Sequence, residues 1–398
     1  MKHLKKHLIL FLVGGIFSLM IAMGIGRFAY TPILPLMQKD LSFSDTVAGY
    51  LASSNYAGYL AGAIVAGLLP LKKHKTNFLR VSLIISVLTT FVMGLSHSYV
   101  LMLILRFVSG IASSFIFVIA SSIVLDKLSS AGKTNWSGIF YSGVGFGIFF
   151  STLFIPSSND LFGWEGVWIG LAIVSIVLTI FVWMWLKDSL NTLTKTEKQD
   201  EKIQVPPPKW LTWLMIAYGL EGLGYIVTGT FIVSIAENSP TFRMDSSFVW
   251  IVVGLGAIPS CILWSTLAKK QGFVISLVLS MILQAIGIAL PVFWTSQISL
   301  IISALLFGAT FMGITTLATT LARQMNPANS SRVISYLTAI YAIGQMIGPT
   351  IAGVLTSFTQ SYNAALIGAA GVVFIGALFL ISGIRFERRP PLETSAIK

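Results

Sequence analysis

Apolar segments of about twenty residues, the length that carries a helix across a bilayer, recur along the whole chain. They cover residues 8–36, 46–69, 78–95, 99–125, 135–155 and 165–186. After a polar gap they resume at 210–236, 246–267, 272–291, 297–322, 332–358 and 361–384. Runs of that length read as helices. Only 10% of the residues are charged, against about 25% in a soluble chain. Little of the outer surface can therefore face water. The expected fold class is an all-α membrane protein with twelve transmembrane helices.

The basic start Met1-Lys-His-Leu-Lys-Lys-His precedes an apolar run, as in a signal peptide. That run continues past Gly26 without a cleavage site of small residues, so it is read as a retained first span. It is too long for one straight crossing, and Pro32 and Pro35 are expected to bend its outer end. Loop charge tests the count. With a cytoplasmic N-terminus, 22 of the 26 Lys and Arg residues fall in cytoplasmic segments. Only Lys39 and Arg243 fall outside, and Arg27 and Arg106 lie within spans. A miscounted span would invert every later loop. The expected localisation is the cytoplasmic membrane, multi-pass, with both termini cytoplasmic.

Several function classes fall away. The net charge of +12 sits in short clusters between spans, not along one soluble face, so no nucleic-acid partner is expected. Cys261 is the single cysteine, which excludes an internal disulfide and a cysteine metal cluster. His3, His7, His74 and His97 are scattered near span ends, and no metal site is expected. There is no phosphate loop and no His-Glu-x-x-His. No nucleophile–base pair marks an intramembrane enzyme, and no cofactor is expected. The expected partners are the bilayer and a small-molecule substrate, and the chain is expected to be monomeric.

Residues 187–209 form the one long polar connection, with a charged run followed by Pro206-Pro207-Pro208. They divide the chain into a six-helix unit, 1–187, a cytoplasmic linker, 188–208, and a second six-helix unit with a short tail, 209–398. The halves echo each other. Gly24-x-Gly26 returns as Gly222-x-Gly224, Lys72-Lys73 as Lys269-Lys270, and Gly143-x-x-x-Gly147 as Gly344-x-x-x-Gly348, at offsets of 198, 197 and 201 residues. Two like-oriented repeats are a transporter architecture, with substrate bound between them near the midplane. The pairs Gly58/Gly62, Gly143/Gly147 and Gly344/Gly348, with Pro349, are expected to serve close helix packing.

This layout resembles the major facilitator superfamily over the whole chain. Gly24-Ile-Gly-Arg-Phe-Ala-Tyr-Thr-Pro-Ile-Leu-Pro, Asn55-Tyr-Ala-Gly-Tyr-Leu-Ala-Gly and Glu221-Gly-Leu-Gly-Tyr-Ile-Val-Thr-Gly-Thr-Phe resemble its YbfB/YjiJ-type subgroup. Arg106-Phe-Val-Ser-Gly110 resembles the fourth-helix motif, whose arginine the family links to proton coupling. Gly344-x-x-x-Gly348-Pro349 resembles the antiporter Gly-Pro motif but lies in the eleventh span, while Gly143, Gly145 and Gly147 of the fifth lack the proline. The loop after the second span, Gly67-Leu-Leu-Pro-Leu-Lys72-Lys73, lacks the family's aspartate, as does Leu267-Ala268-Lys269-Lys270-Gln-Gly272.

Three charged side chains lie well inside spans: Arg27, Arg106 and Glu221. Each costs about 2.5 kcal/mol or more at the bilayer centre on insertion scales. The resemblance implies that their spans, the first, fourth and seventh, line a central cavity. One reading makes Glu221 the proton acceptor and the arginines coupling or substrate groups. The other is a static ion pair of Glu221 with Arg27 or Arg106, or an Arg106 that bonds backbone carbonyls. Tyr30, Asn55, Tyr59, Tyr218, Tyr225, Thr228 and Gln345 are the cavity candidates, offering aromatic faces and hydrogen bonds. Trp164, Trp168, Trp183, Trp185 and Trp210 read as an interfacial belt.

The function expected from these features is secondary active transport of a small organic solute by alternating access, coupled to protons. The sparsely charged aromatic cavity points to export. The alternatives are an uncoupled sugar-type permease and a non-transporting receptor with a transporter-like fold.

Overall fold

The computed structural model describes residues 2–68, 75–186, 205–326 and 330–387. The loop lysines 72 and 73 and most of the 188–208 linker lie outside the described residues. Among the described residues every regular element is helical. An apolar segment in lipid can satisfy its backbone N–H and C=O groups only internally, and these segments do so. The helices are α1 (Lys2–Leu19), α2 (Tyr30–Leu41), α3 (Asp45–Leu68), α4 (Lys75–Met93), α5 (Tyr99–Ser130), α6 (Ser137–Trp185), α7 (Leu211–Glu237), α8 (Phe248–Gln271), α9 (Phe273–Phe293), α10 (Gln297–Met325), α11 (Ser330–Thr359) and α12 (Asn363–Ile381). Among the described residues, ten helical stretches are long and apolar enough to cross a membrane.

The outward faces carry apolar stripes at helical spacing. On α6 they are Ile173, Ile176, Ile180 and Met184; on α12 they are Ile367, Phe374, Leu378 and Ile381. A surface of that kind is built for hydrocarbon rather than water.

The first span bends, though not where the prolines suggested. A π-helical turn at Met20–Ile25 and an irregular turn at 26–29 separate α1 from α2. Gly26 and Phe28 donate to the carbonyls of Ile21 and Met23, five residues back. Pro32 lies in the first turn of α2, where a missing N–H costs little, and Pro35 is accommodated inside that helix.

A second correction concerns 156–164, which reads as an external loop. Pro156 lies within α6, and the helical path is interrupted only at Gly163, whose φ of 68° and ψ of −178° suit glycine. A third sharp turn joins α8 to α9 through Gly272, at φ 106°. There the Glu387 carboxylate accepts from the N–H groups of Phe273, Val274 and Ile275. It thereby caps the positive end of α9 from the far end of the chain. Burial pushes the Glu387 carboxyl up, and the three N–H donors oppose that shift.

Helices on either side of the linker meet along two main seams, α3 against α11 and α6 against α8, and α2 also leans on α7. The glycine pairs sit at crossings. A side chain on Gly143 or Gly147 would meet the 16–24 stretch, and one on Gly344 or Gly348 would meet the α7 backbone at Gly219–Leu223. The fifth span thus packs on the first as the eleventh packs on the seventh, in keeping with the repeat. Pro349 has a seam of its own, with its carbonyl against Gly49 of α3.

Both members of the pair Gly58/Gly62 face α5, but they are not equally tight. A side chain on Gly58 would run into the Phe107 backbone of α5. Gly62, one turn further along α3, packs on the same helix but less tightly. A Cβ there would stand 2.9 Å from the Ile111 carbonyl oxygen and 3.0 Å from Cβ of Ser114. Packed helices cross at an angle, so close approach is confined to about one turn. Gly58 therefore makes the closer contact with α5, and Gly62 a looser one a turn further on. Gly58→Ala should accordingly lower the melting temperature clearly more than Gly62→Ala. Equal losses would overturn this ranking.

Candidate functional site

The break between α1 and α2 sets the geometry. It releases backbone carbonyls from the helical ladder in the middle of the molecule, where they need partners from neighbouring helices. Helix α5 supplies the donors. Ser113 donates to the Ala22 carbonyl at 2.7 Å and Ser109 to that of Gly26 at 3.1 Å. Arg106 reaches three carbonyls, those of Leu51 (3.4 Å), Gly26 (3.3 Å) and Arg27 (3.5 Å). Its guanidinium also lies 4.5 Å from the centre of the Tyr30 ring. Tyr30 donates to the Ala48 carbonyl, and Asn55 donates through Nδ2 to the Arg106 carbonyl. Arg106, Tyr30 and Asn55 therefore form one knot that holds the bend.

Arg27 leaves the same bend in another direction. It is 3% exposed. Its guanidinium lies 4.7 Å from the ring centre of Tyr56 and 4.5 Å from that of Tyr59, both on α3. Such cation–π contacts are worth about 2 kcal/mol when desolvated. Across the seam, Tyr225 of α7 and Tyr341 of α11 lie within electrostatic reach. Nε and Nη2 of Arg27 have no hydrogen-bond partner.

The facing wall is aromatic. Tyr218 and Tyr341 stack with ring centres 4.1 Å apart, and Tyr341 stacks on Tyr225 at 5.5 Å. Tyr225 continues onto Phe307 and Phe311 of α10. Phe28, Arg27's neighbour in sequence, closes the series edge-on against Phe311. Gln345 donates through Nε2 to the Tyr225 hydroxyl, while its Oε1 has no partner. Thr228 is buried and its hydroxyl has no partner.

Glu221 lies behind this wall and is wholly buried. Its carboxylate faces the Gln284 amide of α9 and the Tyr341 hydroxyl, but neither oxygen makes a hydrogen bond of ordinary geometry. No ion pair joins it to Arg27 or Arg106. Among the described residues the close acid–base contacts are Lys75–Asp126 at 3.3 Å and His97–Glu165 at 3.4 Å, both away from the centre. The static-pair reading of the three charges therefore has no counterpart here.

Of the candidates read from sequence, Arg27, Tyr59, Tyr225 and Gln345 converge. Tyr218 and Glu221 join them through Tyr341. Tyr30, Asn55 and Arg106 belong to the knot on the bend. Sequence reasoning missed Tyr56, Tyr341 and Gln284. Tyr341 was within reach of a helical-spacing argument, since it lies one turn before Gln345 on the same face. Cys261, the lone thiol, is buried on α8 and accepts from Thr316 of α10.

The sequence matches, over residues 19–381, the family described as "Uncharacterised MFS-type transporter YbfB". No curated protein matches it. Among solved structures, the crystal structure of nucleoside transporter NupG superposes with a TM-score of 0.70 at 15% identity, over 94% of this chain and 98% of that one. A mutant form of the same transporter gives a TM-score of 0.73 at 15% identity, over 94% and 99%. At that identity the likeness is one of fold.

Proposed function

The chain belongs to the YbfB-type family of MFS transporters and is a multi-pass membrane transporter rather than an enzyme; from that premise we propose that it moves a small organic solute by proton-coupled alternating access. The observation that carries this reading is the centre of the molecule. A guanidinium with free donors, Arg27, comes from one set of helices, and a wall of stacked rings with an unpaired carboxylate behind it comes from the other. Charged groups left without partners in a membrane protein mark substrate or ion paths.

In this reading the architecture is twelve crossings in two six-helix units, 1–187 and 209–398, joined by the 188–208 linker. Helix α3 adds one crossing to the ten apolar stretches, and α6 crosses twice, turning at Gly163. The units are sealed at one end. Thr31 donates to the Gly229 carbonyl at 2.5 Å, Ser53 bonds Thr350 at 2.8 Å, and Tyr362 donates to Asp45 at 2.7 Å. We assign that end to the outside and the termini to the cytoplasm. A reporter fused after Lys398 should then read cytoplasmic, and one inserted at Gly163 should read external. The reverse pair of readings would overturn the topology.

The function itself is tested in proteoliposomes screened with a metabolite library. The expected result is uptake or release of one solute class that an imposed pH gradient accelerates and drives uphill. Movement that stops at equal concentrations, whatever the gradient, would overturn the coupling and leave a uniporter.

A further inference from the structure

We propose that Arg27 is the anchor for a flat organic monocarboxylate, so that the solute is an aromatic or conjugated acid bearing a hydrogen-bond donor; this rests on the carrier reading above. Nε and Nη2 form one edge of the guanidinium, and these two are the groups without partners. That edge presents two parallel N–H donors, which match the two oxygens of one carboxylate. Its other surroundings are fixed. Tyr56 and Tyr59 cover the guanidinium from α3, and Tyr225 and Tyr341 face it from α7 and α11. All four are phenols, and none supplies a permanent counter-charge.

The charge balance asks for an anion. Arg27 and Arg106 lie within electrostatic reach of each other, and among the described residues no acidic side chain pairs with either. Arg106 directs its donors to backbone carbonyls, which leaves Arg27 as the group able to meet a ligand. One free guanidinium edge balances one negative charge, so a dianionic phosphate ester would be left half-neutralised.

Shape supplies the ring. The planes of Tyr218, Tyr341, Tyr225 and Phe311 follow one another at interplanar angles of 9° to 13°. Parallel aromatic faces next to a cation accept a flat π-system by offset stacking. Gln345 contributes an amide oxygen without a partner, which fits a hydroxyl or amino group on the solute.

The test is equilibrium binding to the purified full-length chain. The probes are 4-hydroxybenzoate, its neutral isostere 4-hydroxybenzamide, phenyl phosphate and cyclohexanecarboxylate. The acid should bind at least about tenfold more tightly than the amide, the scale of one charge-assisted pair. It should also outbind the phosphate and the saturated acid. Arg27→Gln should erase the acid–amide distinction, and Arg27→Lys should weaken the acid by about tenfold, because an ammonium lacks the parallel donors.

Equal binding of acid and amide, no binding of the acid, preference for the phosphate or the saturated acid, or an acid preference that survives Arg27→Gln would each overturn the proposal. If neither variant folds, the wild-type acid–amide ratio decides. Binding needs no gradient, so a failure of proton coupling leaves this result standing. Proton-driven transport of a neutral solute with no acid preference would sink this proposal alone.

Discussion

Glu221→Gln is expected to abolish solute accumulation driven by a proton gradient while leaving exchange of solute across the membrane in place. Glutamine keeps the shape of a neutral carboxylic acid but cannot take up or release a proton. The wild-type carboxylate is wholly buried, and neither oxygen is hydrogen-bonded in ordinary geometry. No partner cation would be stranded by the change, because among the described residues Glu221 has no ion pair to break. The variant should therefore express and remain monodisperse like the wild type.

A gradient of one pH unit sustains about tenfold accumulation for one proton per solute, tenfold being about 1.4 kcal/mol. That accumulation should fall to none in the variant, with counterflow retained. Asp126, near the end of α5, is largely exposed and paired with Lys75, so it is poorly placed to act in the core. Unchanged accumulation in Glu221→Gln would sink the coupling role. Loss of folding, rescued by neutralising an arginine, would revive the static pair.

The depth of the three charges could be read from the sequence; their direction could not. Hydropathy says that residues 27, 106 and 221 lie inside spans, because a bilayer imposes one length on every crossing. Which way each side chain points depends on the rotation of its helix against its neighbours. That is set by tertiary packing at positions such as Gly58 and Gly344, where backbones approach closely. Hence Arg27 and Arg106, grouped together from sequence, separate into a group with unbonded donors and a knot on the bend. The same limit applies to Gly62. Its spacing from Gly58 puts both on one face of α3, but only the crossing point decides which of them meets backbone most closely.

The bend itself was misplaced for a similar reason. Prolines at 32 and 35 are the visible helix breakers, but a π turn carries no equally plain residue signature. Likewise the Pro-Ser-Ser-Asn-Asp stretch at 156–160 has a loop's composition, yet Pro156 lies inside α6 and the break comes only at Gly163. Tyr341 escaped notice because its importance arises from stacking between Tyr218 and Tyr225 of another helix. Spacing within the eleventh span could place it beside Gln345 but could not supply that partner.

Arg106→Met is expected to cost the fold rather than the coupling. Methionine retains much of the aliphatic stem and none of the donors. The carbonyls of Gly26, Arg27 and Leu51 would lose Arg106 together. Ser109 would still reach Gly26, and Leu51 lies inside α3, where its carbonyl keeps its helical partner. The loss therefore falls mainly on the Arg27 carbonyl, where an unsatisfied buried group costs about 1–3 kcal/mol, with the lost contact to the Tyr30 ring in addition. Lysine should rescue in part, because an ammonium on a flexible stem reaches one or two of the carbonyls and lacks the planar fork. Ser109→Ala, which removes one neutral bond, should cost only about 1 kcal/mol.

The measurement is thermal melting and size-exclusion behaviour of the solute-free protein, which a group acting only on substrate or protons would leave unchanged. Aggregated or unexpressed Arg106→Met, with partial recovery in Arg106→Lys, is the expected result. A monodisperse Arg106→Met that melts like the wild type but transports nothing would overturn the structural assignment and return Arg106 to the coupling machinery. The contrast with Arg27 sharpens the test, since Arg27 leaves Nε and Nη2 unbonded while Arg106 directs its donors to the backbone. Arg27→Gln loses its contacts with the Tyr56 and Tyr59 rings and should lower the melting temperature somewhat, but the variant should stay monodisperse and its main effect should fall on binding.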